Sequence, residues 1–281
     1  MPRLPKWMRV NLKDAKNITK VDNILNDLKL NTVCKEANCP NRLECFNNKT
    51  ATFMILGNKC SRNCKFCDVK YGEGQIVDKD EPKKIYEAIE KLGLKHVVIT
   101  SVTRDDLDDG GAFHFANVVK YIKKNNKDIH IELLIPDLQG NKKALKKILD
   151  TKPDVLNHNI ETINRLYSKV RPQANYNQSL EVLKNVKEIN KNIYTKSGIM
   201  VGLGEKESEV IQVFKDLRNV DCDFLTIGQY LQPSKKHYET KKYIKPETFE
   251  KYKKEAYKLG FKQVTSGPMV RSSYHASKML D

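Results

Sequence analysis

Long apolar runs, tryptophan and cysteine are scarce in this chain of 281 residues, which has one Trp and seven Cys. No apolar run approaches the roughly 18 residues of a membrane span, so no membrane association is expected. The opening stretch MPRLPKWMRV lacks the apolar h-region of a secretory leader, and the cytoplasm is the expected compartment. Seven Cys is an odd count, far below the roughly 8–10% of a disulfide-built mini-protein. In a reducing compartment, clustered Cys read as metal ligands or redox groups. Arginine is scarce too: it supplies nine of the 51 basic residues. What is present is a soluble globular composition, 39% apolar and 31% charged, long enough for one or two domains.

The net charge is +16. Such a field speeds encounter with anionic partners. Nucleic acid is the first thought, but phosphates and base edges are gripped bidentately by Arg, whereas Lys is a solvated point charge. The Lys are densest between Lys235 and Lys262, where Tyr238, Tyr243, Tyr252 and Tyr257 interleave. That pattern reads as a solvated helix face over an inner stripe of Tyr, Ala and Leu. Nucleic acid is the less favoured partner, and an acidic protein would be steered equally well.

From residue 50 the chain alternates short β-branched runs with segments of helical period. Strands are expected at 52–56, 96–100, 129–135, 154–158, 194–201, 224–227 and 261–265. Helices are expected at 81–92, 112–125, 142–150, 178–190, 205–220 and 246–259. Repeated strand–helix units of about 30 residues argue an α/β fold with parallel strands, and a barrel or partial barrel is the reading. Such folds place their chemistry where the strands end at the carboxyl side. Residues before 50 lack the rhythm and read as an attached extension of polar loops with a cysteine cluster.

Six Cys fall into two triplets, Cys34-x4-Cys39-x5-Cys45 and Cys60-x3-Cys64-x2-Cys67. Cys222 stands apart and reads as a small buried core residue. Structural zinc takes four ligands, often as two CxxC pairs. Triplets suit a cubane iron–sulfur cluster, with three irons on Cys and one left for another ligand. The second triplet directly follows the first strand, and Phe66 beside Cys67 would shield a cluster there.

That stretch, CSRNCKFC, resembles the cluster loop of the radical S-adenosylmethionine (radical-SAM) enzymes. The first triplet, CKEANCPNRLECF at 34–46, and RSSYHA at 271–276 are similar to the lipoyl synthases within that superfamily. So are SVTRDDL at 101–107, DGGA at 109–112, NHNIET at 157–162, VRP at 170–172, KSGIMVGLGE at 196–205 and GQYLQP at 228–233. The likeness runs from about Arg9 to Ala276. It implies a partial (βα)6-type radical-SAM barrel at 50–265, an N-terminal cluster-binding extension at 1–49, and a closing C-terminal segment at 266–281.

The resemblance implies two [4Fe-4S] clusters and S-adenosyl-L-methionine. One cluster would sit on Cys60, Cys64 and Cys67, leaving an open iron for S-adenosylmethionine. Its electron releases methionine and a deoxyadenosyl radical, which needs a dry site. The auxiliary cluster would sit on Cys34, Cys39 and Cys45, with Ser273 as fourth ligand. A serine oxygen is a hard partner for iron in a sulfide-rich cubane, so that iron would be lost first and the cluster consumed as sulfur donor. The implied reaction inserts sulfur at C6 and C8 of an octanoyl group. The group rides on a lipoyl carrier domain, of the E2-subunit or glycine-cleavage H-protein type. A ferredoxin or flavodoxin would be the reductant, and an acidic carrier would make the positive charge an encounter device.

Thr103 lies on the loop where the family binds the methionine part of S-adenosylmethionine. Asn159 and Glu161 would reach its ribose, and Arg171 its carboxylate. The Gly202/Gly204 loop reads either as an approach to adenine or as a tight turn. His158, His237 and His275 are not needed as ligands. Two other readings stand beside this one: a methylthiotransferase-like radical enzyme acting on RNA or a ribosomal protein, and a zinc-binding nucleic-acid module.

Overall fold

The computed structural model describes residues 4–8 and 17–280. Arg9, where the family likeness begins, and part of the expected 1–49 extension lie outside the described residues. The chain forms two compact units, one of residues 17–62 and 68–155, the other of residues 4–8, 63–67 and 156–280.

In the first unit the order is α1 (Ile18–Asp27), β1 (Asn31–Thr32), α2 (Val33–Glu36), α3 (Arg42–Asn47), β2 (Thr52–Ile55), β3 (Lys59–Cys60), β4 (Lys70–Tyr71), α4 (Glu81–Leu92), β5 (His96–Ser101), α5 (Ala112–Asn125), β6 (His130–Leu134) and α6 (Lys142–Leu149). Strands β2, β5 and β6 pair in parallel, and β1 joins β2 antiparallel. All four residues of β2 are buried, as are Val97, Val98 and Ile99 of β5. A strand covered on both faces needs such a continuous apolar run. Ile85, Ala88, Ile89 and Leu92 form the buried stripe of α4, which ends at left-handed Gly93.

β7 (Val155–Asn157) begins with the last residue of the first unit and continues in the second. There follow α7 (Tyr167–Val170), α8 (Tyr176–Ile189), β8 (Tyr194–Val201), α9 (Glu207–Asn219), β9 (Phe224–Gln229), α10 (Pro246–Lys258) and β10 (Gln263–Gly267). Here β8, β9 and β10 run parallel. Their core includes Phe214 edge-on to Tyr252 and Phe261. Cys222 lies inside it, fully buried, and burial pushes its thiol up to about 12. It is the core residue expected. The fold is thus α/β with mostly parallel strands, and no strand pairing among the described residues closes a barrel.

Three expectations are corrected. Residues 17–50 are not polar loops: α1, α2 and α3 occupy them, and Val21, Leu25 and Phe46 are buried. The apolar positions are so few among Asn, Lys and Asp that their helical spacing did not stand out. The Lys/Tyr segment is helical only over Pro246–Lys258. Before it the backbone is irregular, tied by Tyr230 Oη donating to the Tyr238 carbonyl at 2.6 Å and Gln229 Nε2 to that of Lys242 at 3.0 Å. The last strand begins two residues late, because Phe261 is spent on the core ahead of it.

One buried polar cluster governs the exit from β2. Glu81 Oε2 accepts the Leu56 amide at 3.1 Å and pairs with His114 Nε2 at 2.6 Å. Leu56 is left-handed at φ 67°, a strained conformation for a branched side chain. Glu81→Ala strips both the amide and His114 of their partner. Chemical denaturation should show a loss of about 3 kcal/mol, the scale for breaking a buried charged contact. A loss below about 0.5 kcal/mol would mean that water or another group satisfies them.

Candidate active site

The first triplet is built by local backbone. Thr32 caps α2 by accepting the Lys35 amide at 3.3 Å, which places Cys34 in the helix's first turn. The Cys39 amide donates to the Cys34 carbonyl at 3.2 Å, and the Arg42 amide to that of Cys39 at 3.1 Å. Left-handed Asn38, at φ 46°, makes the turn between α2 and Cys39. Cys45 sits in α3. The three thiols sense one another. Burial pushes Cys34 up to about 11 against a hydrogen bond at Thr52, with Cys39 adding to the rise. Burial, then Cys34, Cys39 and Glu44, push Cys45 up to about 12.

Thiols so shifted stay protonated at neutral pH unless a cation compensates them, which iron does on binding. In the metal-free protein at pH 8, Cys34 should therefore alkylate about a hundredfold and Cys45 about a thousandfold more slowly than free cysteine. Their rates should rise about tenfold per pH unit as the thiolate fraction grows. Mass-resolved iodoacetamide labelling checks this, and rates equal to free cysteine would remove the electrostatic argument.

The second triplet is gripped at both ends. In the first unit, β3 pairs with β4, so the Gly72 amide reaches the Cys60 carbonyl at 3.0 Å. Ser61 Oγ donates to the Thr103 carbonyl at 3.0 Å and accepts the Asp105 amide at 3.0 Å. The Arg62 amide lies 3.4 Å from Cys60 Sγ. The Arg62 guanidinium is held by Asp105 at 2.6 and 2.9 Å and by Asp137 at 2.7 and 2.8 Å. Beside it, buried Arg104 grips Asp106 at 2.7–3.0 Å and holds that carboxyl below its usual range. A Cβ on Gly74 would fall 2.2 Å from Arg104 Nε and 2.6 Å from Asp106 Oδ2, so a larger residue there must displace this pair.

In the second unit, the Lys65 amide donates to the Val170 carbonyl at 2.9 Å, and the Tyr238 amide to that of Lys65 at 2.7 Å. His237 Nε2 meets the Cys67 carbonyl at 3.1 Å, while its Nδ1 meets Ser234 Oγ at 2.8 Å. His237 holds backbone here, the hydrogen-bonding role expected of it. Phe66 packs on the core of this unit.

A polar chain crosses the carboxyl ends of the second unit's strands. Asn157 Nδ2 donates to Ser272 Oγ at 2.8 Å, Ser272 Oγ to Asn159 Oδ1 at 2.9 Å, and Asn159 Nδ2 to Glu161 Oε1 at 3.0 Å. Burial pushes the Glu161 carboxyl up, while Arg171, Asn159 and Arg271 pull it back. Glu161 is left-handed at φ 66°, and its amide donates to the Gly198 carbonyl at 2.9 Å. Arg171 Nη1 donates to the carbonyl of Asn159 and to Tyr167 Oη, both at 3.0 Å. The Gly202/Gly204 loop is a tight turn closed by Glu205, whose carboxylate accepts the amides of Gly202 and Leu203 at 2.6 and 2.8 Å. A Cβ on Gly202 would fall 2.1 Å from Gln229 Nε2.

Asn159, Glu161 and Arg171 thus share one network, whereas Thr103 stands apart from it in the first unit, its carbonyl accepting from Ser61. Ser273 directly follows Ser272, the residue that this network holds. The charged clamp of Arg62, Asp105 and Asp137 was not anticipated. An Arg between two cluster cysteines was the available signal, but its acidic partners stand 43 and 75 positions away.

The donor chemistry suits iron–sulfur binding. All six thiols are free of disulfides, they are soft ligands, and one receives a backbone N–H at its sulfur. Among the described residues no three Cys, His, Asp or Glu gather tightly enough for a single metal ion. A cubane differs in spreading its protein ligands over separate irons.

Residues 54–217 match the model of the radical SAM superfamily, so the class is that of the radical-SAM proteins. A curated lipoyl synthase of Alkaliphilus metalliredigens is 61% identical over 99% of this chain and 96% of its own length. The lipoyl synthase of Caldanaerobacter subterraneus is 56% identical over 98% and 96%. The crystal structure of methylornithine synthase shares the fold, with a TM-score of 0.52 at 15% identity over 89% of this chain and 85% of that one. The chain belongs to the lipoyl synthase family and is a radical-SAM enzyme of sulfur insertion. Membership brings a four-iron cluster and S-adenosylmethionine, and sets aside the methylthiotransferase and zinc-module readings. No helix among the described residues is long and apolar enough to cross a membrane.

Proposed function

We propose that the protein inserts two sulfur atoms, at C6 and C8, into an octanoyl group carried on a lipoyl domain. A second four-iron cluster on Cys34, Cys39, Cys45 and Ser273 is the sulfur-donating substrate. The observation that carries this reading is the additional triplet of Cys34, Cys39 and Cys45, built on its own small helices with its thiols electrostatically coupled. One cluster suffices for radical chemistry, so a second ligand set needs another purpose. The proposed organisation is an extension at 1–49 for that cluster, catalytic strands at 50–265 and a closing segment at 266–281.

When bound, the cluster of Cys60, Cys64 and Cys67 supplies one electron to S-adenosylmethionine and so starts hydrogen abstraction from carbon. The residues do the rest. Glu161 and Asn159 hold the ribose, and Arg171 stiffens their backbone while offering positive charge to the methionine carboxylate. The Thr103 loop lines the methionine side. Ser272, bonded to Asn157 and Asn159, seats Ser273 next to it. A serine oxygen is a poor match for iron among sulfides, which leaves that iron the easiest to release. The acyl carrier is an E2-subunit or H-protein type lipoyl domain, met through the chain's positive field. A ferredoxin or flavodoxin delivers the electrons in the cytoplasm.

The test is anaerobic turnover with an octanoylated carrier peptide, S-adenosylmethionine, dithionite and protein reconstituted with labelled sulfide. The expected product is heavier by two labelled sulfurs. Unlabelled sulfur in the product would remove the donor role.

A further inference from the structure

We infer that Arg62 is a positioning residue for the Cys60 sulfur, set by a two-carboxylate clamp of buried Asp137 and half-buried Asp105. The inference rests on the proposal that Cys60 binds the radical-SAM cluster, and it goes beyond it in assigning work to a residue that is no ligand.

The clamp is an unusual investment for a loop. Four N–H···O contacts of 2.6–2.9 Å join one guanidinium to two carboxylates. The Arg62 side chain is 7% exposed and that of Asp137 fully buried. Removing such charges from water is costly, and apolar packing would stabilise the fold as well or better. What the clamp supplies is geometry. Arg62 stands midway between Cys60 and Cys64. Asp105 follows β5 and Asp137 follows β6, so the carboxyl ends of two neighbouring strands pin one residue of the cluster loop. Ser61 is pinned to the same 103–105 segment through both its amide and its hydroxyl. With Ser61 and the Arg62 side chain immobile, the Arg62 amide is held 3.4 Å from Cys60 Sγ. Hydrogen bonds to cluster sulfurs tune reduction potential, because they favour the more negatively charged reduced state. Arg forms two parallel contacts with each carboxylate, which Lys cannot do.

The test uses the full chain, reconstituted anaerobically, with two variants. Arg62→Lys keeps the charge and loses the fork. Arg62→Gln combined with Asp137→Asn removes the fork together with the fully buried carboxylate, leaving only Asp105, whose side chain is 28% exposed to water, and circular dichroism confirms that it folds. The readouts are iron retention under a chelator and the midpoint potential of the reduced cluster whose electron paramagnetic resonance signal responds to S-adenosylmethionine. We expect a lower midpoint and iron loss faster by about tenfold in both variants, the usual scale for residues behind metal ligands. An unchanged midpoint and unchanged iron retention in the folded double variant overturn the inference. Cys60→Ala is run in parallel. If it keeps the responsive signal, the ligand assignment of Cys60 fails; if it loses the signal while the Arg62 variants match wild type, only the positioning role fails.

Discussion

Cys60→Ala is expected to stop both cleavage of S-adenosylmethionine and sulfur insertion. The loss should be chemical rather than structural. The contacts that shape this end of the loop are the Cys60 carbonyl with the Gly72 amide, Ser61 with Thr103 and Asp105, and the Arg62 clamp. None of these uses the Cys60 sulfur, and what the substitution does remove is the Arg62 amide contact to that sulfur at 3.4 Å. Alanine therefore keeps the loop and removes one thiolate. A cubane on two cysteines has two irons without protein ligands and is lost during purification, so iron should fall from about eight to about four per chain. Deoxyadenosine formation, read by chromatography, should drop at least a hundredfold, roughly the upper scale for disturbing a metal site from outside its ligands. Cleavage at more than a few per cent of the wild-type rate, roughly above that margin, would mean that Cys60 is not a ligand.

Cys34→Ala should separate the two activities. Cys34 lies in the first turn of α2, capped by Thr32 and tied to Cys39 through its carbonyl. These contacts survive the substitution, and losing one buried sulfur costs about 1 kcal/mol. The Cys60 loop has its own scaffold, so reductive cleavage should continue within about twofold of wild type. Sulfur insertion should fall below detection, because the sulfur-donating cluster no longer forms, and iron should again fall to about four per chain. Catalytic formation of lipoyl product by this variant would end the donor proposal. Together the two substitutions give a pattern, both activities lost against one lost, that a shared folding defect cannot imitate.

Much of the architecture was legible because it follows from local periodicity. Helices α4 and α5 and strand β8 lie where the apolar spacing placed them, since their buried stripes are long and uninterrupted. The helices before residue 50 were missed because they are short, and a few buried side chains among many polar ones leave little period to read. The irregular stretch before α10 was misread for the opposite reason. Its Tyr and Lys have helical spacing, yet side-chain bonds from Gln229 and Tyr230 hold the backbone in loops, and only Pro246 starts the helix.

The site divides in the same way. The six cysteines stand out from spacing, because ligand type and interval are properties of the chain as written, whereas Ser273 entered only through the family likeness of its RSSY motif. Asn159 and Glu161 could be singled out as polar residues after a strand end, whereas Arg171, which follows α7, was drawn in by the family likeness. That Ser272 bridges Asn157 and Asn159, that Arg62 is clamped by Asp105 and Asp137, and that Glu81 with His114 holds the end of β2 depended on folding. These contacts join residues 25 to 115 positions apart. Nothing in a linear pattern marks which distant carboxylate a buried cation will meet; the pairing is decided only when burial makes an unpartnered charge too costly and the strand order selects the partner within reach.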